Sequence, residues 1–335
     1  MKKLLILYTI LIGLFLLFSA SYFSKETSLN SLGEMDSGLR GEIHETYYMV
    51  TFQSGIDYWK TALKGFEDAA HALNVSVEYR GATQYDVNEQ ITVLEQVIAK
   101  KPAGIALSVI NAEALTPTIN KAIDAGIPVV LFDSGAPQSK AFSFLGTSNY
   151  SAGIKAAHKM AELLGEKGEV AVVTLPNQLN HQERTRGFID TLIKEYPQMV
   201  YLATKDGRGD LMVSRGAALE IMDSYPEVDG IFNTDAVGGA GVAQAVLEAK
   251  KSIKIIGFDT DKNTLDLVKE GTISATLAQG TWNMGYWSLM YLFHLQHGKT
   301  NMVSETPTDM ISVPPYVDTG VTLVTKENVD QYYAK

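Results

Sequence analysis

From Tyr47 onward the chain alternates short apolar runs with helix-length stretches in which apolar residues recur every three or four positions. The runs YYMVTF (47–52), VSVEY (75–79), GIALSV (104–109) and IPVVLFDS (127–134) read as strands. Between them 58–73, 86–100 and 113–124 read as helices; in the first, Leu63, Phe66, Ala70 and Leu73 fall on one face. Pro117 suits the third only near its first turn, because proline brings no N–H. The pattern restarts after FSFLGTS (142–148), with helices at 149–164, 183–195, 211–223 and 237–250 and strands at 169–175, 199–204, 230–235 and 253–260. TLAQG (276–280), a helix over 282–297 and PPYVDTGVTLVTKENV (314–329) return across the preceding elements. Such alternation predicts an α/β chain with doubly wound parallel sheets.

One segment occurs twice. Residues 104–134 and 230–260 have equal length, open on Gly-Ile and close on Phe-Asp followed by a hydroxyl residue, each reading as a β-α-β unit. Asp133 and Asp259 thus occupy equivalent strand ends. Ligands of open parallel sheets bind outside the carboxyl ends of the strands, so the pair predicts two half-sites facing one ligand. An aspartate after a strand can also simply hold the next turn.

Composition narrows the classes. The 335 residues suit about two domains, and a net charge of −10 argues against nucleic-acid binding. The sequence holds no cysteine, which excludes disulfides, thiolate metal sites, a cysteine nucleophile and a lipid-modified cysteine. Lys2 and Lys3 precede the uncharged run 4–23, LLILYTILIGLFLLFSASYF. Residues 1–23 read either as an uncleaved signal anchor, long enough to span a bilayer, or as a signal peptide cut near Ser19-Ala20-Ser21. Either way the lysines place the remainder of the chain outside the cytoplasm, and 24–45 reads as a polar linker.

Other chemistry fails on spacing. Gly238-Gly239-Ala240-Gly241 is not a dinucleotide fingerprint, and His294 and His297 lack the metalloprotease pattern. No catalytic triad or metal site is identifiable, and no cofactor is expected. A glycosidase would need paired acids, but Asp133 and Asp259 on opposing lobes suit clamping better.

The marks that remain are Tyr58-Trp59, the strand ends FDS and GFDT, Glu183-Arg184-Thr185-Arg186-Gly187-Phe188, Asn233-Thr234-Asp235 before a small-residue helix start, Ala278-Gln279 and the tail TGVTLVTKENV. In this order they resemble the sugar-binding proteins of periplasmic binding protein type I, the ribose-binding type, over nearly all of the chain beyond the linker. The resemblance implies two doubly wound parallel-sheet lobes joined by a three-strand hinge, closing over one monosaccharide without catalysis. The lobes are expected at 46–147 plus 280–308 and at 148–279 plus 309–330. It implies sugar-binding roles for Tyr58, Trp59, Asp133, Arg184, Asp235, Asp259 and Gln279.

Physical readings stand beside these roles. At least one of Tyr58 and Trp59 should cover a sugar face, the alternative being that both are core. Arg186 rivals Arg184 for the guanidinium role, and Gln279 either contacts sugar or only bonds within the hinge. Asp235 replaces a family asparagine, so a group that only accepts stands where an amide also donates. The family's second-lobe aromatic is missing near KDGRGD (205–210), a gap Trp282 would fill. His181 either lines the cleft or is structural. The implied partners are a pentose such as xylose and a sensor histidine kinase's extracellular domain, as in membrane-tethered sugar sensors, or else the permease of an ABC importer. A transcription regulator's effector domain shares this fold but needs an N-terminal helix-turn-helix, where this chain has a hydrophobic segment.

Overall fold

The computed structural model describes residues 39–298 and 313–333. The expected anchor at 4–23, most of the expected linker and the stretch 299–308 assigned to the first lobe lie outside them. Among the described residues no helix is long and apolar enough to cross a membrane.

Of the described residues, 43–298 and 313–333 build two six-stranded sheets. The first takes β1 (Thr46–Thr51), β2 (Ser76–Gly81), β3 (Gly104–Leu107), β4 (Val129–Phe132) and β5 (Phe144–Gly146), with α1 (Tyr58–Leu73), α2 (Val87–Ala99) and α3 (Ala112–Asp124) between them. The second takes β6 (Lys167–Thr174), β7 (Gln198–Asp206), β8 (Val228–Asn233), β9 (Lys254–Phe258) and β10 (Ala275–Gln279). Its helices are α4 (Asn149–Leu164), α5 (Leu179–Glu195), α6 (Leu211–Ser224), α7 (Gly238–Glu248) and α8 (Lys262–Glu270). Then α9 (Thr281–Gln296) returns to the first lobe, β11 (Tyr316–Asp318) joins the first sheet and β12 (Val321–Val324) the second. The orders are β2-β1-β3-β4-β5-β11 and β7-β6-β8-β9-β10-β12, parallel throughout except β10 against β12.

The chain crosses between lobes three times, after β5, after β10 and between β11 and β12. Tyr316–Asp318, read from sequence as part of the second lobe, pairs with Phe144–Gly146, and the Tyr316 and Phe144 rings stack at 5.8 Å. The third crossing therefore falls at Thr319–Gly320, where Gly320 takes φ +86°, a left-handed value that glycine adopts without strain.

The central strands are buried on both faces, as their unbroken apolar runs require. In α1 the buried face is Trp59, Ala62, Phe66, Ala69, Ala70 and Leu73; burying a side chain like Phe66 is worth about 1.5–3 kcal/mol. A Cβ at Gly65 would overlap the Trp282 carbonyl and one at Gly285 the Ala62 carbonyl, so α1 and α9 pack backbone to backbone. In the second lobe Gly153 against Arg184 and Gly187 against Tyr150 bring α4 and α5 together in the same way.

Two local readings need correction. α3 begins at Ala112, capped by the Asn111 side chain, and runs through Pro117 in its second turn; Glu113, whose carbonyl loses its partner there, is exposed to water. α8 has no counterpart among the helices read from sequence. It is short, but Asp261 caps it by accepting from the Thr264 N–H and Gly271 ends it at φ +90°.

Candidate functional site

The carboxyl ends of both sheets face one cleft. From the first lobe come Phe52 and Gln53 after β1, Tyr58 opening α1, and Asp133 after β4; from the second come Leu175, Gln178, Asn180, His181, Arg184, Asp235 and Asp259, with Gln279 ending β10. These surround a narrow space of about 40 Å³. It continues past Tyr58, Asp259 and Gln279 into a chamber of about 310 Å³ lined also by Thr61, Thr260, Asp261 and Asn263.

Asp133 and Asp259 both take left-handed backbone angles, φ 59° and 65°, tolerated by aspartate better than by most side chains. The Asp133 carboxylate accepts from the Tyr58 hydroxyl at 2.6 Å through Oδ1 and from the Ser108 hydroxyl at 2.8 Å through Oδ2. Asp259 accepts from Gln279 Nε2 at 2.9 Å through Oδ1, and Oδ2 has no protein donor among the described residues. Burial pushes both carboxyls up, Asp259 to about 7, with Arg184 opposing the rise in each.

Arg184 is 1% exposed. Its Nε donates to Asn149 Oδ1 at 2.9 Å, Nη1 to the Thr234 carbonyl at 2.8 Å and Nη2 to Gln279 Oε1 at 2.8 Å. The guanidinium also lies over the Phe258 ring at 3.7 Å. Arg186 points outward over Tyr150 and is exposed, so the guanidinium of the cleft is that of Arg184. One cation thus stands among three buried carboxylates, Asp133, Asp235 and Asp259, and each carboxyl is raised by desolvation.

Gln279 uses its whole amide. Oε1 accepts from Arg184 and from Thr147 Oγ1 at 2.8 Å, while Nε2 donates to Asp259 and to the Tyr58 hydroxyl at 3.1 Å. Two donors and two acceptors are all an amide has. Gln279 therefore orients groups of both lobes rather than offering a free bond of its own. Asp235 accepts from the N–H groups of Val237 and Gly238, holding the start of α7.

Of the aromatic pair, Tyr58 borders both parts of the cavity with its hydroxyl between Asp133 and Gln279. Trp59 is 2% exposed, donates Nε1–H to the Phe52 carbonyl at 2.8 Å and meets Phe52, Tyr58 and Phe132 edge-on, forming the wall behind Tyr58. Trp282 does not fill the second-lobe aromatic position. It lies on the outer face of the first lobe, 37% exposed, stacked on Tyr286 and bonded to Asp68, because α9 packs on α1.

The sequence reading missed Asn149, Gln178 and Asn180 and left His181 open. The signal for the last two was spacing: α5 starts at Leu179 rather than 183, so Asn180 and His181 stand one turn before Arg184 on the same face. His181 is buried and bonds Thr234 through Nδ1, and burial together with Arg184 holds its pKa well below the ordinary value.

Two hinged lobes whose facing strand ends hold buried carboxylates, a guanidinium and aromatic walls define a cleft-closing solute-binding protein. Residues 47–300 match the periplasmic binding protein domain model, and the chain belongs to that family, type I, of the ribose-binding type. It is a family of binding proteins and not of enzymes. The chain is 66% identical to an arabinose-binding protein from Geobacillus stearothermophilus, over 87% of this chain and 100% of that one, with a TM-score of 0.77. It is also 66% identical to the sugar-binding protein of a sugar ABC transporter from Bacillus halodurans, over 86% and 100%, TM-score 0.80. A chain of the XylFII–LytSN complex is 26% identical over 85% and 99%, TM-score 0.76.

Proposed function

We propose that this protein binds a pentose on the outer side of the cell membrane and presents its closed form to the extracellular domain of a sensor histidine kinase. The observation that carries the ligand reading is the facing of Asp133 and Asp259 across a cleft that also holds Arg184 and Tyr58. Carboxylates accept from sugar hydroxyls, the guanidinium donates, and the Tyr58 ring covers an apolar face; Asp235 completes the polar lining and Trp59 backs the aromatic wall. Among pentoses arabinose is favoured over xylose, because the relative named for arabinose shares 66% of its residues. Ligand bridging the lobes favours the closed state by its higher affinity for it.

The sensor reading rests on the apolar run 4–23, on the lack of any cysteine to carry a lipid, and on the relative found in complex with LytSN. The second reading, the binding component of an ABC importer, is favoured by the relative from Bacillus halodurans. Titration calorimetry of the purified protein against pentoses and hexoses tests the first half: arabinose should bind tightest, and no heat with any sugar would refute it. Sugar-dependent co-purification with a kinase's extracellular domain supports the sensor role, and association only with a permease would reverse it.

A further inference from the structure

Alone among the described α-helices, α9 holds no Lys, Arg, Asp or Glu in its sequence TWNMGYWSLMYLFHLQ. One side packs into the first lobe through Met284, Leu289, Leu292 and Phe293. The other carries Trp282, Tyr286, Trp287, Met290 and Tyr291, which at 3.6 residues per turn share one half of the helix. Trp282 and Trp287 are 37% and 44% exposed, and the other three are half-buried. A helix apolar all round is normally covered, yet this one lies on the outside of the lobe. Its rings make one continuous surface: Trp282 stacks on Tyr286 at 4.7 Å, and Trp287 meets Tyr286 edge-on at 5.4 Å. The Trp282 N–H donates to Asp68, which pairs with Lys64, so the border of the face is neutral too. The Trp287 N–H and the Tyr286 and Tyr291 hydroxyls have no protein partner among the described residues. Apolar rings with free polar tips suit the headgroup region of a bilayer.

The chain enters the first lobe beside this helix. Glu45, directly before β1, accepts from Nε2 of His297, the residue that ends α9, at 2.8 Å. It stands 22 positions beyond Phe23, where the apolar run closes. A coil of that length spans about 25–30 Å, so a membrane-inserted 4–23 keeps this end of α9 within about one hydrocarbon-core thickness of the bilayer. In a chain of net charge −10, anionic headgroups repel most of the surface, and an uncharged face is the one that can settle on them. We propose that the open face of α9 is a membrane-docking surface, lying in the headgroup region of the bilayer that anchors the chain. It rests on the reading of 4–23 as an uncleaved anchor and does not depend on which sugar binds.

Tryptophan emission tests it directly. The sequence has three tryptophans: Trp59 is 2% exposed, Trp282 and Trp287 lie on the face, and 4–23 adds none. The full chain is reconstituted in vesicles of phosphatidylcholine and phosphatidylglycerol, with acyl chains brominated or not, and recovered by flotation. Bromine should quench Trp282 and Trp287 and spare Trp59, while aqueous iodide should reach neither exposed indole. Trp287→Glu puts a charge into the docked face, where burial is costly. The remaining indole, Trp282, should then lose its quenching by bromine and gain quenching by iodide, with sugar affinity by calorimetry unchanged. Should that variant not fold, Tyr291→Glu carries the same comparison. A chain that floats while iodide quenches and bromine does not overturns the docking and leaves the anchor in place. Shielding from both quenchers also overturns it. Self-crosslinking on the vesicle would then assign the face to a second copy, and shielding that appears only with a kinase's extracellular domain would assign it to that protein. If the chain does not float, the anchor reading falls and the docking with it, while pentose binding stands on its own titration.

Discussion

Asp133 and Asp259 end equivalent strands with the same left-handed backbone, yet their surroundings differ. Two hydroxyls of the first lobe already donate to Asp133, one to each carboxylate oxygen. Asp259 receives a single amide hydrogen, and Asp133 and Asp261 add like charge that raises its pKa further. One half-site is thus largely satisfied before ligand arrives, while the other holds a carboxyl poised near neutrality. Repetition of a β-α-β unit fixes where a functional group stands; the neighbours in contact with it decide what it does.

Removing the cation both halves share should break the comparison most severely. Arg184→Met leaves Asp133, Asp235 and Asp259 uncompensated, and loss of one partner of a buried charge cluster costs about 3–5 kcal/mol. Calorimetry should show no measurable sugar binding, and thermal melts a large loss of stability. Unchanged affinity would remove Arg184 from the site.

Neutralising the two aspartates in turn sharpens the contrast. Asp133→Asn and Asp259→Asn should each weaken binding about 10- to 100-fold, since each loses a charged acceptor. Their melts should diverge at pH 8: Asp259→Asn removes a carboxylate ionised at a buried site and should raise the midpoint, whereas Asp133→Asn turns an amide donor toward one of the Tyr58 and Ser108 hydroxyls and should lower it. Equal shifts would erase the asymmetry.

The pH dependence stems from the same carboxyl. Asp259 rises from 3.8 to about 7, above its unfolded value, so its contribution to the stability of the free protein is full below about pH 4 and is lost as pH rises through 7. Ligand hydroxyls favour the ionised form, so affinity should fall by up to about tenfold per pH unit below 7. Calorimetry in buffers of different ionisation heat should register a released proton; a flat profile from pH 5 to 8 would contradict the assignment. The smallest effect is expected from Tyr58→Phe, which removes the hydroxyl joining Asp133 to Gln279 and should weaken binding about threefold to tenfold.

Much of the architecture was legible because its signals are local. Alternating apolar runs gave the two sheets, the repeat gave both strand-end aspartates, and the family resemblance carried by Glu183–Phe188 pointed to Arg184, with Arg186 as its rival. What stayed hidden depends on contacts between distant segments. The saturated amide of Gln279 joins residues from four separate segments of the chain, and no spacing reveals that. Trp282 looked available because it lies just beyond Gln279, but the close approach at Gly65 and Gly285 turns its helix onto the outside of the first lobe. α8 and the early start of α5 carried readable signals, a capping aspartate and a one-turn spacing, that the low apolar content of both segments masked.

The three crossings are fastened to one another. Ser148 N–H donates to Asp318, Gly280 N–H to the Gly320 carbonyl, and Thr147 to the same Gln279 that holds Arg184 and Asp259. Ligand polarity and hinge angle thereby meet in a single side chain. The partners of Gln279 come from both lobes, so a change of hinge angle must stretch or exchange some of its four hydrogen bonds.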